Sequence, residues 1–271
     1  MLATSPRLHK RIDFSQQEHP VILQLVGNHE ERLLQAAFRA QELGVDAVDL
    51  NLGCSAKGVS SRGAGAGLLQ TPEKIASIAS RLSSEMQIPL TAKIRLGWDE
   101  NLLNYRTVAQ ILEDSGVQMI AVHGRTRKQA YRGLVNWDAI AEIKQQAHIP
   151  IIGNGDVVHV ADIQRLVDHT GCDAVMIGRA AVDNPWIFQR KEREDVSAQE
   201  LSSTIHHHLD LMCTFYGELR GLTLFRKYLT RYLAPYSVQR NQILPLLTCT
   251  ERSTFNDLFA DIPFDHNAVS H

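Results

Sequence analysis

The chain has few cysteines, and their spacing fits no zinc site. Its 271 residues include four of them, Cys54, Cys172, Cys213 and Cys249. None of these forms a Cys-x-x-Cys pair, so the sequence argues against both a zinc centre and a disulfide framework. We therefore expect reduced thiols and no bound metal.

Long apolar runs and a strong net charge are also missing. No apolar segment approaches the roughly 20 residues that a membrane helix needs, and the first residues lack the apolar segment of a secretory signal. Both absences predict a cytoplasmic protein. The formal net charge is only −2, so any contact with nucleic acid must depend on a local basic patch. The slightly negative net charge counts mildly against an RNA substrate.

What the chain does have is a regular alternation of short apolar runs and helical patterns. The runs are VILQL, AVDLN, LTAKI, MIAVH, IIGN and AVMIG. Asn28 followed by Glu31, and Thr71 followed by Pro72, predict the starts of the first two helices. Repeated βα units with apolar strands indicate a parallel sheet covered by helices, either doubly wound or closed as a barrel.

Polar or glycine clusters follow five of these runs. They are Asn51 to Cys54, Lys93 to Arg95, His123 to Arg125, Asn154 to Asp156, and Gly178 with Arg179. In a β/α barrel the carboxyl ends of all strands meet at one rim and can surround a single ligand. An open sheet would concentrate its ligand at one switch point, so the spread of clusters favours the barrel.

The last part of the sequence is predicted to be helical. A charged run, QRKERED, follows Phe188 as a linker, and Ser197 with Glu200 forms a capping box. Basic residues then occur among apolar residues at helical spacing, at Arg220, Arg226, Lys227, Arg231 and Arg240. We therefore expect a barrel domain over residues 1–190 and a small all-helical domain over 191–271, with a basic face and a flexible C-terminal tail.

The turns after the last two strands, Asn154-Gly155-Asp156 and Gly178-Arg179, are typical of a phosphate site. In β/α barrels the loops after strands seven and eight often bind phosphate through backbone N–H groups, and glycine permits the close approach. Arg179 would add a charge-assisted contact. The alternative is that the glycines only end their strands and that Arg179 caps a helix.

Lys93 ends a run with apolar neighbours, so its ammonium is expected to point into the rim rather than into bulk solvent. A buried cation needs a negative partner. The anionic N1/O2 edge of a reduced flavin would be one such partner, and a structural Asp or Glu would be another.

Cys54 begins a loop that is rich in glycine and lysine, where its thiol would face a substrate. An ordinary thiol stays largely protonated at neutral pH and can donate a proton, whereas a nucleophile would need a neighbouring base, and none is evident nearby in the sequence. We therefore predict a general acid; the alternative is a buried apolar filler. The GAGAG run at 63–67 lacks the Gly-Lys-Ser/Thr of a phosphate loop and is interpreted as the hinge of a mobile lid.

Five segments occur in a characteristic order: NLGCSAKGVSSRGAGAGLL, TAKIRLGWDE, AVHGRTRKQAYRG, IIGNGDV and DAVMIGRAAVDNPWIF. Taken together they resemble the bacterial tRNA-dihydrouridine synthases. The resemblance covers about residues 20 to 240 and is closest to the B-type branch, although RLGWD also suits the C-type. It implies a TIM-type (β/α) barrel, here incomplete with about six of the eight strands, followed by the helical domain.

The resemblance also implies a reaction and its cofactors. NADPH would reduce FMN, the flavin would pass hydride to C6 of uracil, and Cys54 would protonate C5. Gln24, Lys93 and His123 would contact the flavin; Asn154, Gly155, Asp156, Gly178 and Arg179 would hold its phosphate end; and Asn51, Arg95 and Arg125 would orient the uracil. The uridine must leave its stack to reach such a site, so the helical domain would bind the tRNA backbone. Neither a membrane nor a protein partner is implied.

Two departures from the family pattern leave other interpretations open. Ser55 follows Cys54 where the family usually has proline, and the chain opens at the family's third strand, without its first two βα units. Six strands cannot close an eight-stranded barrel, and open edges invite pairing with other strands. The alternatives are a non-catalytic remnant that binds tRNA and a flavin-barrel dehydrogenase that acts on a free pyrimidine.

Overall fold

The computed structural model describes residues 12–236 and 238–262. In this part of the chain, one sheet contains six strands, all parallel and in sequence order. They are β1 (Ile22–Leu25), β2 (Ala47–Leu52), β3 (Leu90–Arg95), β4 (Met119–His123), β5 (Ile151–Asn154) and β6 (Ala174–Met176). Each lies within or overlaps one of the apolar runs. The predicted fold, an incomplete TIM-type barrel followed by helices, is confirmed.

Helices alternate with the strands and then continue alone. The first set is α1 (Glu30–Glu42), α2 (Lys57–Ser60), α3 (Pro72–Glu85), α4 (Tyr105–Asp114), α5 (Asp138–Gln146), α6 (Val160–Thr170) and α7 (Ala180–Asp183). The second set is α8 (Ala198–Tyr216), α9 (Glu218–Leu233), α10 (Arg240–Thr248) and α11 (Arg252–Ala260). Short 3-10 helices cover Gln16–Glu18, Gly65–Gln70, Pro185–Gln189 and Arg193–Asp195. Within the described ranges, no helix combines the length and the apolar character needed to cross a membrane.

The central strands are rich in apolar residues because both of their faces are covered. In β2, four consecutive residues from Ala47 to Leu50 are buried, so residues on both faces of the strand are shielded from solvent. On α3, Ile75, Ile78 and Leu82 recur at helical spacing and are buried in the same core. Burying each such side chain stabilises the fold by about 1.5–3 kcal/mol, which fixes the strand register on which the site depends.

The predicted start of α1 is wrong in one detail. The helix begins at Glu30, and its N-cap is His29, whose side chain makes no capping hydrogen bond. Asn28 instead donates from Nδ2 to the backbone oxygen of Arg62, at 2.6 Å. A tertiary contact therefore uses the amide that the capping motif assigned to the helix. The predicted start of α3 at Pro72 is confirmed.

The GAGAG run does not form the expected hinge. Gly65–Gln70 is a 3-10 helix, and its residues from Gly65 to Leu69 are buried. A Cβ on Gly67 would lie 2.5 Å from the backbone oxygen of Ser60, so this glycine is needed for close packing. Glycine permits both flexibility and close approach, and the sequence alone does not separate the two.

The described residues divide into two compact units. The first runs to residue 157 and includes 161–177; the second contains 158–160 and the described residues from 178 onward. The first unit has a core around the sheet, and the second has a separate core among its helices. The predicted C-terminal tail beyond residue 262 lies outside the described residues.

In the second unit, the charged run after Phe188 is not a simple linker. Arg193 is only 8% exposed, and its guanidinium carbon lies 4.9 Å from the ring centroid of Trp186 and 5.2 Å from that of Tyr236. Its Nη2 donates to the backbone oxygen of Tyr232 at 2.7 Å. The linker interpretation failed because a charged residue can be buried when aromatic faces and a carbonyl surround it. The capping motif at Ser197, which accepts from the backbone N–H three residues later, is confirmed.

Candidate functional site

Polar side chains gather where the strands of the first unit end. Asp49 and Asn51 occupy alternate positions of β2, and Thr91, Lys93 and Arg95 do the same on β3. Alternate residues of a strand point to the same face of the sheet. The parallel register places Asp49 beside Thr91 and Asn51 beside Lys93. We call the following set the strand-end cluster: Gln24, Asp49, Asn51, Thr91, Lys93, Arg95, His123 and Asn154.

Asp49 is the centre of a hydrogen-bond network in this cluster. Its Oδ2 accepts from Gln24 Nε2 and its Oδ1 accepts from Thr91 Oγ1, both at 2.7 Å. Asn51 Nδ2 in turn donates to Gln24 Oε1 at 2.6 Å. Burial raises the pKa of Asp49, while the two donors and the charge of Lys93 act against that rise. The network therefore fixes the orientation of the Gln24 amide.

Sequence reasoning missed Asp49 and Thr91. The signal was present, because Asp49 is an acidic residue inside an apolar strand and lies two positions before Asn51. An acid that is buried at such a position needs a hydrogen-bond donor. The identity of the donors could not be read from the sequence, since Gln24 and Thr91 lie on the strands to either side.

Lys93 is half-buried and bonds to an amide. Its Nζ donates to Asn154 Oδ1 at 3.2 Å, and Asn154 Nδ2 donates to the backbone oxygen of Met176 at 2.7 Å. Burial and the charge of Arg95 lower the pKa of Lys93 to about 8, and the negative charge of Asp49 opposes this shift. The sequence left open whether Lys93 pairs with a flavin or with a structural acid. Asp49 is close enough to act on Lys93 electrostatically, but the hydrogen bond of Lys93 goes to the neutral amide of Asn154.

Arg95 joins the loop after β2 to the loop after β4. It is 3% exposed, and its Nε donates to the backbone oxygen of Gly53 at 2.8 Å. Its Nη1 donates to the backbone oxygens of Thr126 and Ala130, at 3.0 and 2.8 Å. Burial lowers the pKa of this guanidinium, and the Cys54 side chain is among the groups that act on it electrostatically. Arg95 therefore holds the backbone that precedes Cys54.

Arg125 forms a two-pronged ion pair with Asp156. Its Nη1 donates to Asp156 Oδ1 at 2.8 Å and its Nη2 donates to Asp156 Oδ2. Nε and Nη2 also donate to the backbone oxygen of Gly133, at 3.2 and 2.7 Å. The guanidinium is 3% exposed, so its charge is committed to these acceptors. Paired donors of this kind fix geometry as well as energy, and here they tie the turn after β5 to the loop after β4.

His123 is held in its neutral form. Burial is the main cause, and the charges of Arg95, Lys93 and Arg125 add to it, so the pKa of the imidazole falls to about 3. Arg125 Nη1 lies 3.5 Å from His123 Nε2. A neutral imidazole offers one donor and one acceptor at physiological pH. It can therefore hydrogen-bond a ligand without adding charge.

Cys54 has its backbone fixed on both sides. Asn51 Oδ1 accepts from the backbone N–H groups of Gly53 and Cys54, at 3.0 and 2.8 Å. Gly65 has a φ of +57°, and a Cβ there would lie 2.8 Å from the Cβ of Cys54. The thiol residue is half-buried, unlike Cys172, which is buried. The predicted general acid is thus held in a defined place with part of its surface accessible.

The two predicted phosphate turns fall in different units. Gly155, in the first unit, has a φ of +135°, and a Cβ there would lie 2.4 Å from Val135 Cγ2, so only glycine fits. Gly178 and Arg179 belong to the second unit. Arg179 occupies the N-cap position of α7 without a side-chain capping bond. Gly178 and Arg179 therefore lie in the second unit, and all the other predicted site residues lie in the first.

The chemistry available in the first unit follows from this geometry. Lys93 is a half-buried cation close to the neutral imidazole of His123, an arrangement that suits an anionic or electron-rich ring. Cys54 supplies a thiol beside them. Among residues 12–236 and 238–262, no group of three or more His, Cys, Asp or Glu side chains is arranged to hold a metal ion.

Comparison with known proteins gives a consistent result. The family model described as dihydrouridine synthase matches residues 1–250. The tRNA-dihydrouridine synthase B of Pseudomonas aeruginosa is 37% identical over 241 residues, which cover 86% of this chain and 73% of that protein. The enzyme of the same name from Xanthomonas axonopodis pv. citri is 33% identical, over 96% of this chain and 83% of its own length. A probable tRNA-dihydrouridine synthase of Rhodobacter capsulatus is 34% identical over 79% of this chain and 68% of its own. The resemblance found in the sequence, including its B-type branch, is confirmed.

Proposed function

Because the chain belongs to the dihydrouridine synthase family, we propose that it reduces uridine in tRNA to 5,6-dihydrouridine as a cytoplasmic enzyme. The cofactor is FMN and the reductant is NADPH. The observation that carries the proposal is that a single unit joins Cys54, Lys93 and His123 at the ends of its strands. The thiol can donate a proton, and the half-buried ammonium and the neutral imidazole can contact a flavin ring, so the three groups together suit a flavin-dependent reduction of a pyrimidine.

The donor set fits FMN. Lys93 bonds to an amide oxygen rather than to a carboxylate, which leaves its positive charge available for the anionic edge of a reduced flavin ring. Gln24, with its amide oriented by Asp49 and Asn51, and neutral His123 offer uncharged hydrogen bonds. Bound flavin would supply the hydride chemistry, between NADPH and C6 of uracil.

The phosphate end of FMN is assigned to the turns after the last two strands. Asn154, Gly155, Asp156, Gly178 and Arg179 are the residues proposed there. Val135 packs against Gly155, whose φ of +135° suits glycine, so this turn has one defined backbone conformation, and backbone N–H groups of such turns can bind phosphate. Asp156 forms an ion pair with Arg125 and so keeps the Arg125 guanidinium beside this turn.

The uracil is assigned to the side of the site that contains Cys54. We assign Cys54 as the acid that donates its thiol proton to C5. Asn51 fixes the backbone N–H of Cys54, and Arg95 and Arg125 hold the loops around it by bonds to backbone carbonyls. These three residues orient the base, and both arginines do so mainly by positioning the loops, because little of either guanidinium is exposed.

The tRNA backbone is assigned to the helical domain over residues 191–271, and FMN to the barrel domain over 1–190. Basic residues on this domain are exposed in α9 and at the start of α10, at Arg220, Lys227, Arg231 and Arg240. Such residues bind phosphates in a salt-dependent way. The target uridine must leave its stack to reach a thiol at the strand ends.

One assay tests the whole proposal. The purified chain is loaded with FMN, given NADPH and an unmodified tRNA transcript, and the nucleosides are analysed by mass spectrometry. We expect flavin to copurify or to reconstitute, and dihydrouridine to form only with tRNA present. Salt-sensitive tRNA binding without flavin would indicate a non-catalytic remnant instead. Turnover of a free pyrimidine, unchanged by deletion of residues after 197, would indicate a small-molecule dehydrogenase.

A further inference from the structure

A cleft lies beside the Cys54 loop of the first unit, outside the strand-end cluster. Its volume is about 410 Å³, which is in the range of small-ligand sites. The groups that matter for its chemistry are Ser60, Ser61, Gln70, Thr71, Lys74 and Trp98. We call it the Trp98 cleft. It combines one aromatic ring, one ammonium and several hydroxyl or amide groups, with no carboxylate among the residues that line it.

The ring of Trp98 is held in a fixed orientation. The guanidinium carbon of Arg127 lies 4.4 Å from its ring centroid. Arg127 is itself anchored, because its Nε and Nη2 donate to Ser60 Oγ at 3.2 and 3.0 Å and its backbone N–H donates to Gly97 O at 2.9 Å. A rigid aromatic ring beside a guanidinium is the kind of surface on which nucleobases stack.

The charge of the cleft favours an anion. Lys74 is exposed at the start of α3, and among the described residues no hydrogen bond or ion pair engages its side chain. The ammonium is therefore available to a ligand. A phosphate group near Lys74 and a base against Trp98 would use both features of the cleft at once.

The cleft and the catalytic thiol share one short 3-10 helix. Gly67 lines the cleft, while Gly65, two residues earlier, packs so closely on Cys54 that a Cβ would clash with it. A Cβ on Gly67 would clash with the backbone of Ser60 on the cleft side. The 3-10 helix Gly65–Gln70 therefore contacts Cys54 through Gly65 and lines the cleft through Gly67 and Gln70.

We propose that the Trp98 cleft binds a nucleotide of the substrate RNA that neighbours the uridine being reduced. This inference rests on the proposed function. The base stacks on Trp98, its phosphate contacts Lys74, and the hydroxyl and amide groups of Ser61 and Gln70 hydrogen-bond its polar edges. The cleft thereby contributes to the choice of which uridine enters the site.

NADPH is the other source of the same chemistry, since it also carries bases and phosphates. The two sources differ in a measurable way. Reduction of FMN by NADPH needs no RNA, and it can be followed alone by the loss of the visible flavin absorption. If the cleft binds NADPH, its variants slow that half-reaction; if it binds RNA, they leave it unchanged.

The first experiment uses Lys74→Gln in the FMN-loaded protein, with Lys144→Gln as the matched control. Lys144 pairs with Asp173, the residue just before β6, and thus lies toward the amino ends of the strands. We expect the KM for tRNA to rise by about threefold to tenfold in Lys74→Gln, as the loss of one phosphate contact implies. Lys144→Gln should match the parent protein, and flavin reduction should be normal in both. An unchanged KM for tRNA in Lys74→Gln would overturn the inference.

The second experiment compares Trp98→Ala with Trp98→Phe. Loss of stacking should raise the KM for tRNA by about fivefold or more in Trp98→Ala, and Phe should restore much of the loss because it keeps a ring. Equal defects in the two variants, or slower flavin reduction by NADPH, would contradict an RNA subsite.

The third experiment does not depend on turnover or on a stable Trp98 variant. A tRNA transcript substituted with 4-thiouridine is irradiated with the FMN-loaded protein, and the cross-linked peptide and nucleotide are identified. We expect cross-links to the peptide that contains Trp98, from a nucleotide next to the reduced uridine. Cross-links that map only elsewhere would overturn the inference. If no dihydrouridine forms in the parent protein, the proposed function fails, while these cross-links still decide whether the cleft binds RNA.

Discussion

Buried arginines occur in both units of the protein, but their surroundings differ. Arg95 and Arg125 in the first unit bond to loop carbonyls and to a carboxylate, next to titratable groups. Arg193 in the second unit lies against the rings of Trp186 and Tyr236. Burial lowers the pKa of His123, and the charges of Arg95 and Arg125 lower it further.

This difference separates two uses of a buried charge. In the first unit, the cations shape the electrostatics of the proposed site and hold its loops. In the second unit, Arg193 packs beside aromatic residues of the core and joins the 3-10 helix that contains Trp186 to the end of α9. The comparison therefore predicts that changes at Cys54 and Lys93 alter chemistry with little effect on stability. Changes at Arg193 should do the reverse.

The largest expected effect on chemistry is that of Cys54→Ala. If Cys54 is the general acid, the rate of dihydrouridine formation in tRNA should fall by at least about 100-fold. FMN should still bind, and NADPH should still be oxidised slowly. Nucleoside mass spectrometry measures the product. Cys249→Ala, a change at a half-buried thiol of the second unit, is the control, and normal product from Cys54→Ala would remove the assigned role.

Lys93→Ala should mainly affect the cofactor. Loss of the ammonium that faces the proposed flavin ring should weaken FMN binding by about tenfold, as measured by fluorescence titration of the apoprotein. Lys93→Arg keeps the charge and should recover part of the affinity. Equal affinity in the parent protein and Lys93→Ala would place the flavin elsewhere.

Arg193→Met should have the opposite profile. Loss of its two hydrogen bonds, to the Tyr232 carbonyl and the Tyr236 hydroxyl, and of the contacts to two rings should lower the free energy of unfolding by about 2 kcal/mol, measured by urea denaturation. The activity per folded molecule should be retained. Arg220→Met, which changes an exposed cation of the same unit, should change stability by less than about 0.5 kcal/mol. A loss of activity without a loss of stability in Arg193→Met would break the comparison.

The last prediction concerns the pH dependence of stability. His123 has a pKa of about 3 in the folded protein, below its ordinary value of 6.5, so in this range the unfolded state binds the extra proton. The free energy of unfolding should therefore fall as pH decreases through this window, and this contribution is fully present above it. His123→Asn should flatten part of the slope, and His29→Asn, an exposed site, should leave it unchanged. The same slope in all three proteins would show that His123 is not held neutral.

Much of the fold could be predicted from local sequence. The strands were visible as apolar runs because a parallel strand is covered on both faces, and the start of α3 was visible because proline suits the first turn of a helix. The expected cap at Asn28 failed because a distant carbonyl, that of Arg62, competes for the amide. The prediction of a linker before residue 197 failed for a similar reason, since Arg193 packs against the ring of Tyr236, which lies far along the chain.

The candidate site shows where sequence reasoning stops. The residues at the strand ends could be identified, because parallel strands bring their carboxyl ends to one edge. The hydrogen-bond partners of these residues could not be identified from the sequence. Asn154 meets Lys93 across 61 positions of sequence, and Asp49 accepts from Gln24 and Thr91 on two different strands. These pairings depend on strand register, which long-range packing sets.

The sequence by itself determined which segments become strands, where polar groups follow them, and which family the motifs resemble. Those properties are local, since periodicity and turn residues act over a few positions. Only the tertiary structure decided that Asp49 orients Gln24, that Arg95 and Arg125 hold loops, and that Trp98 lies beside a cleft. Each of these follows from contacts between elements that are far apart in the chain, and such contacts exist only once the core has fixed the register of the sheet.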